Sequence, residues 1–142
     1  MSDPIIDRDI GDLCVGQAGD FEVEITEEKM NAFAKLTGDV NCLHTDDDYA
    51  AKTRFGKRVV YGQLLNALLS RLVGHHLPGK RALYLAQDSQ FVNPCFVGDV
   101  VRVSGAITAV HPAQRLIEID TEICRPSDQT VLVRGKATVM VM

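Results

Sequence analysis

The chain has 142 residues, 46% of them apolar and 24% charged, with a net charge of −4 at pH 7. That length suits one domain, residues 1–142, with room for a proper core, and the composition matches neither a disordered nor a membrane protein. The acidic balance, with no basic face or arginine-rich segment to offset it, argues against general nucleic-acid binding. The longest apolar stretch, near residues 59–73, is broken by Gln63, Asn66 and Arg71 and is too polar to span a bilayer. Met1-Ser2-Asp3-Pro4 lacks an apolar signal core, so a cytoplasmic location is expected. Cys14, Cys42, Cys95 and Cys124 form no CxxC pair and read as reduced thiols, mostly buried packing residues.

In chain order, residues 13–25 end in Phe21-Glu22-Val23-Glu24-Ile25, an alternating strand pattern. Thr26 is a good N-cap, followed by Glu27 and Glu28 where a helix dipole favours negative charge. Met30, Phe33, Ala34 and Thr37 then fall on one helical face, and Gly38 closes the helix. Gly38-Asp39-Val40-Asn41-Cys42-Leu43-His44 follows, packing a carboxylate, an amide and an imidazole into one turn. A carboxylate and an imidazole aimed at one point can hold and activate a water, whereas an Asp/Asn/Gly turn can equally be plain solvated loop. Thr45, with Asp46, Asp47 and Asp48 behind it, is expected to cap a short helix through about Lys52. The three aspartates point different ways on a helix and suit dipole capping better than metal binding.

Lys52, Arg54, Lys57 and Arg58 make a basic loop around Phe55-Gly56. The segment Gln63–Val73 is apolar nearly all round, which predicts an enclosed helix, stopped by Leu77-Pro78-Gly79-Lys80. Strands follow over roughly 82–92 and 100–110, then Ile117, Ile119, Thr121 and Ile123, and finally Val131, Val133, Ala137, Val139 and Val141. His75, His76 and His111 have no carboxylate at a local spacing and read as structural or solvated. One long buried helix and about five antiparallel strands make an α+β domain whose sheet curls around the helix. Its open edge strand is naturally covered by a second copy, so a homodimer, or a dimer of dimers, is the expectation.

Phe33-Ala34-Lys35-Leu36-Thr37-Gly38-Asp39-Val40-Asn41-Cys42-Leu43-His44 resembles the hydratase motif of the MaoC-like (R)-specific enoyl-CoA hydratases, whose core is Gly-Asp-x-Asn-Pro-x-His. Phe55-Gly56, Gly62, Leu77-Pro78-Gly79 and Phe91-x-x-Pro94-x-x-x-Gly98-Asp99 fall in the family's order, so the resemblance runs from about residue 13 to 141. It implies a hot-dog fold, a dimer, and hydration of a trans-2-enoyl thioester with no metal or redox cofactor, coenzyme A arriving as part of the substrate. It also implies Asp39 and His44 as the catalytic pair and Asn41 in the same turn. The Gly62 N–H would bind the thioester carbonyl, and Ser70 would be a supporting hydroxyl. Gly62 can also be a close-packing glycine, and Ser70 a hydroxyl bonding back to its own helix. Arg54, Lys57 and Arg58, with Lys80 and Arg81 further on, could meet coenzyme A phosphates or an acidic acyl carrier protein, or simply be solvated. Two positions depart from the family: Cys42 replaces the usual Pro, and Tyr61 replaces a site-lining His, a place that implies contact with the substrate. Two other functions stay open, a hot-dog thioesterase and a non-catalytic acyl-thioester-binding subunit.

Overall fold

The computed structural model describes residues 3–142. Strand β1 (Ala18–Glu24) leads into helix α1 (Glu27–Thr37), two short helices α2 (Cys42–Thr45) and α3 (Asp47–Ala51), and the long helix α4 (Gly62–His75). Strands β2 (Ala82–Phe91), β3 (Val100–His111), β4 (Leu116–Arg125) and β5 (Thr130–Val141) complete the chain. All five strands join one antiparallel sheet in the order β1-β3-β4-β5-β2. The alternation seen in the sequence sets its faces. Ile117, Ile119, Thr121 and Ile123 are buried under α4, while Glu118, Asp120 and Glu122 face water.

The sheet can seat the helix because one row across it carries only small side chains. Gly19 pairs with Gly105, Gly105 with Thr121, Thr121 with Gly135, and Gly135 with Ser89. A Cβ at Gly105 would lie 3.0 Å from a methyl of Leu72 and 2.9 Å from one of Ile119, so the helix backbone could not settle where it does. Leu65, Leu69, Leu72 and Val73 of α4 are sealed in that groove.

The helix is not enclosed all round, as its composition suggested. Gln63, Ala67 and Ser70, at helical spacing along one side, are exposed, because the sheet wraps α4 from one side only. The neighbouring edge strand β2 presents Leu83 and Leu85 to solvent, and Phe91 is half exposed at its end. Among the described residues no helix is long and apolar enough to cross a membrane.

Three other expectations are corrected. Thr45 does not cap a helix. Its hydroxyl donates to the carbonyls of Val40 and Asn41, and Asp46 caps α3 by accepting the Tyr49 N–H. His76 and His111 do have carboxylate partners, Asp3 at 3.2 Å and Glu118 at 3.0 Å, supplied by the folded-back N-terminal segment and a neighbouring strand. Of the four free thiols only Cys95 is buried, whereas Cys14 and Cys42 are exposed. Burial pushes the Cys95 thiol up to about 12, which keeps it inert.

Candidate active site

The turn after α1 is built by short-range polar bonds. Thr26 caps α1 by accepting the Lys29 N–H, and Gly38 ends it in the left-handed region at φ 75°, the conformation that releases the chain sharply. The Asp39 carboxylate accepts the Asn41 N–H at 3.0 Å, and the Asn41 amide oxygen accepts the Leu43 N–H at 3.0 Å, so Asn41 caps α2. Asp39, Val40, Asn41 and Cys42 are exposed, while His44 is half-buried.

His44 is anchored from outside the turn. Its Nδ1 lies 2.6 Å from the Val59 carbonyl oxygen. A carbonyl only accepts, so Nδ1 carries the proton and Nε2 of the neutral ring keeps its lone pair. Val59 returns a bond from its own N–H to the Leu43 carbonyl, and the Val60 N–H donates to the Cys95 carbonyl at 2.8 Å. The segment 59–61 thus ties the turn to the chain beyond β2.

Tyr61 is almost fully buried, its ring stacked on His44 at 4.2 Å between centroids and tilted against Phe33 at 4.7 Å. Its hydroxyl donates to the Asp39 carbonyl oxygen at 2.6 Å. Burial, and after it the Asp39 charge, raise the phenol above its ordinary value, which keeps it a donor.

A cavity of about 370 Å³ opens beside the imidazole. His44, Val59, Val60, Gly62 and Leu65 form one side, Phe91, Val92, Asn93, Pro94 and Cys95 the other, with Arg54 and Phe55 at the rim. Gly62 begins α4, Tyr61 gives that helix no side-chain cap, and the Gly62 N–H has no hydrogen-bond partner among the described residues. A free donor at a helix N-terminus, on a residue that borders a largely apolar cavity, suits an oxygen that gains negative charge. Gly62 is also a close-packing glycine, since a Cβ there would lie 3.0 Å from the Phe91 ring. Both readings hold together, because the same missing Cβ lets Phe91 close one wall of the cavity.

A larger hollow of about 820 Å³ lies on the outer face of the sheet, over the small-residue row. Its rim mixes Asp20, Asp88, Asp120 and Glu122 with Arg134 and Lys136, and neither His44 nor an apolar wall borders it. The smaller cavity is therefore the candidate site.

The structure groups Asp39, Asn41, His44, Tyr61 and Gly62, with Arg54 on the cavity rim. Asp39 belongs to the turn but does not line the cavity of the single chain. Lys57 lies over the Phe96 ring, 4.4 Å from its centroid. Arg58 is already engaged, with Glu27 at 2.7 Å and Asp47 at 2.8 Å, joining the starts of α1 and α3. Ser70 stands apart. It is exposed, eight residues along α4 from Gly62, which is about 12 Å at 1.5 Å per residue. Sequence reasoning missed the wall 91–95 as part of the site. The Phe91-x-x-Pro94 landmark marked the segment, but only folding set it against Gly62.

A match to the MaoC-like domain covers residues 14–123. The chain belongs to the MaoC-like family. It shares 37% identity over 127 residues with an (R)-specific enoyl-CoA hydratase of Aeromonas caviae, covering 89% of this chain and 94% of that one. A second (R)-specific enoyl-CoA hydratase, from Rhodospirillum rubrum, is 32% identical over 140 residues, covering 99% and 96%. The solved (R)-hydratase of A. caviae superposes with a TM-score of 0.88 at 36% identity, over 92% of this chain and 98% of that one. An unliganded R-hydratase of Pseudomonas aeruginosa gives 0.88 at 31% identity, over 94% and 84%. This MaoC-like chain has the hot-dog fold of those hydratases, a curved antiparallel sheet with α4 in its groove.

Proposed function

We propose that this chain is a hydro-lyase catalysing the reversible (R)-specific hydration of trans-2-enoyl-CoA to 3-hydroxyacyl-CoA. The observation that carries the chemistry is that a fixed His44 tautomer and the free Gly62 N–H border the same largely apolar cavity. The (R) sense and the thioester class are supported by the relatives, named (R)-specific enoyl-CoA hydratase at 37% and 32% identity and 3-hydroxybutyryl-CoA dehydratase at 35%.

Asp39 and His44 hold the attacking water. One of them removes a proton as the water oxygen bonds to the β-carbon, and the π electrons move toward the thioester. The carbonyl oxygen takes up that charge, and the Gly62 N–H, backed by the α4 dipole, stabilises it. The proton taken from the water is then handed on through the Asp39–His44 pair to the α-carbon, so one water is added overall. General acid–base catalysis supplies about 10²–10⁴-fold, and a single oxyanion donor about 10²–10³-fold. No net oxidation or reduction occurs, so the reading calls on no redox cofactor, and it gives the charge on the carbonyl oxygen to the Gly62 N–H rather than to a metal.

Arg54, which borders the cavity, is the cation offered to the phosphates of coenzyme A, or to the acidic face of an acyl carrier protein, with Lys57, over the Phe96 ring, as a second. Arg58 is left out, because two carboxylates already use its guanidinium. Ser70 does not reach this cavity, and within our reading it serves only if a second copy brings it to a site. A homodimer is part of the proposal, since an edge strand with exposed Leu83 and Leu85 is a poor surface to leave in water. So is a cytoplasmic location.

Absorbance of the enoyl-thioester band with crotonyl-CoA tests the reading. Loss of the band without free thiol is the expected result. Release of thiol would turn the reading to a thioesterase, which attacks the carbonyl carbon instead. An unchanged spectrum across chain lengths, on coenzyme A and on carrier protein alike, would leave only a binding subunit.

A further inference from the structure

The turn that carries Asp39 and His44 is exposed, and almost every bond in it spans five residues or fewer. Asp39 to Asn41, Asn41 to Leu43, and Thr45 to Val40 and Asn41 all close within the turn itself. Water competes with such bonds at an exposed site, so they leave the turn soft. Ties to the rest of the chain are few. The His44 end has two, Nδ1 to the Val59 carbonyl and the Val59 N–H to the Leu43 carbonyl. Among the described residues, the Asp39 end has one hydrogen bond from outside the turn and its helix, donated by the Tyr61 hydroxyl at 2.6 Å. The ring carrying that hydroxyl stacks on the His44 imidazole, with 30° between the planes. One buried side chain therefore touches both halves of the proposed catalytic pair.

Cys42 stands between them. It is the first residue of α2, its N–H donates to no described group, and the preceding Asn41 has ψ 132°. Those are the conditions under which a proline fits without losing a hydrogen bond, at the first position of a helix and after an extended residue. A proline there would stiffen the turn covalently, and cysteine does not.

We propose that Tyr61 is a positioning residue: its hydroxyl fixes Asp39 relative to His44, supplying by a hydrogen bond from a buried side chain the rigidity that residue 42 leaves out. The proposal rests on the hydratase reading above. It gives Tyr61 a different role from the substrate contact its place beside the site first suggested. It also couples two positions that look independent in the sequence, 42 and 61.

The test compares the parent, Tyr61→Phe, Cys42→Pro and the double variant. Crotonyl-CoA hydration kinetics are measured alongside amide hydrogen exchange at Asn41 and Leu43. Tyr61→Phe keeps the ring and removes only the bond. It is expected to lower kcat about 10- to 100-fold, the scale of a misplacement near 1 Å, with KM within about twofold. Exchange at Asn41 and Leu43 should quicken by a similar factor. Cys42→Pro alone should change kcat less than about threefold, but in the Tyr61→Phe background it should recover roughly tenfold and slow the exchange again. A Tyr61→Phe protein with the parent kcat overturns the proposal. So does a loss carried by KM, which would make Tyr61 a substrate contact, and so does an equal effect of Cys42→Pro in both backgrounds. If the parent itself hydrates no enoyl thioester, the hydratase reading falls, and the exchange rates still decide whether Tyr61 holds the turn.

Discussion

The groove that seats α4 and the turn from Gly38 to Thr45 are held by opposite means. In the groove, Leu69, Leu72, Ile107, Ile119 and Val139 are sealed from water, and a row of small residues lets backbone approach backbone. The turn has no fully buried residue and relies on a chain of polar bonds plus three points of attachment to residues 59–61. The groove supplies stability that has no chemistry in it. The turn carries the chemistry and borrows its rigidity. Polar groups that must meet a water and a substrate cannot also be buried, so their geometry is set by the segment behind them.

The two regions should therefore separate cleanly under mutation. Largest is the effect on turnover: Asp39→Asn or His44→Ala should cut kcat/KM by about 10²–10⁴-fold. The melting temperature of Asp39→Asn should stay within about 2 °C, since that exposed side chain fills no part of the core and the amide oxygen can still accept the Asn41 N–H. Steady-state rates with calorimetry check this, and a melting point that fell with the activity would mean that the turn is also structural. Leu72→Ala should do the reverse, removing about 2–5 kcal/mol in urea unfolding while each folded molecule keeps its kcat.

A smaller effect sharpens the border between the regions. Arg58→Ala should cost about 1 kcal/mol and lower the midpoint by about 4 °C, leaving KM for crotonyl-CoA unchanged. Arg54→Ala should raise KM several-fold with little change in melting. If Arg58→Ala raised KM as strongly, its assignment as a tie between α1 and α3 would be wrong.

The smallest effect is on acid stability. Arg125 is hydrogen-bonded to Asp128 and holds that carboxyl at about 2, below its ordinary 3.8. Arg71 and Arg81 likewise lower Asp3 and Asp7. A depressed carboxylate stabilises the fold above its unfolded pKa and loses that contribution as pH falls through the folded value. Asp128→Asn should therefore flatten the fall in melting temperature between about pH 4 and pH 2, and hardly matter at pH 7. Asp128 and Asp7 are exposed and Asp3 is half-buried, so high salt should shrink the difference at the first two most.

Much of this was legible beforehand, for identifiable reasons. Strand alternation in Ile117–Ile123 and the cap at Thr26 are local signals, and the structure keeps both. The cap at Thr45 was misread because two potential caps, Thr45 and Asp46, stand side by side, and the hydroxyl found carbonyls behind it. Arg58 read as a free cation because Glu27 lies 31 residues away in the chain. His76 likewise lacked any visible partner until the N-terminal segment brought Asp3 to it.

By itself, the sequence determined the elements, the family and the turn with its candidate pair, since periodicity, capping and a seven-residue motif are all short-range properties. Tertiary structure alone decided which groups those residues face. It set Val59 against the imidazole, the 91–95 segment against Gly62, and the Tyr61 hydroxyl against Asp39. Those contacts join segments 15 to 33 residues apart, a separation that short-range sequence signals do not reach and that only the folded chain closes.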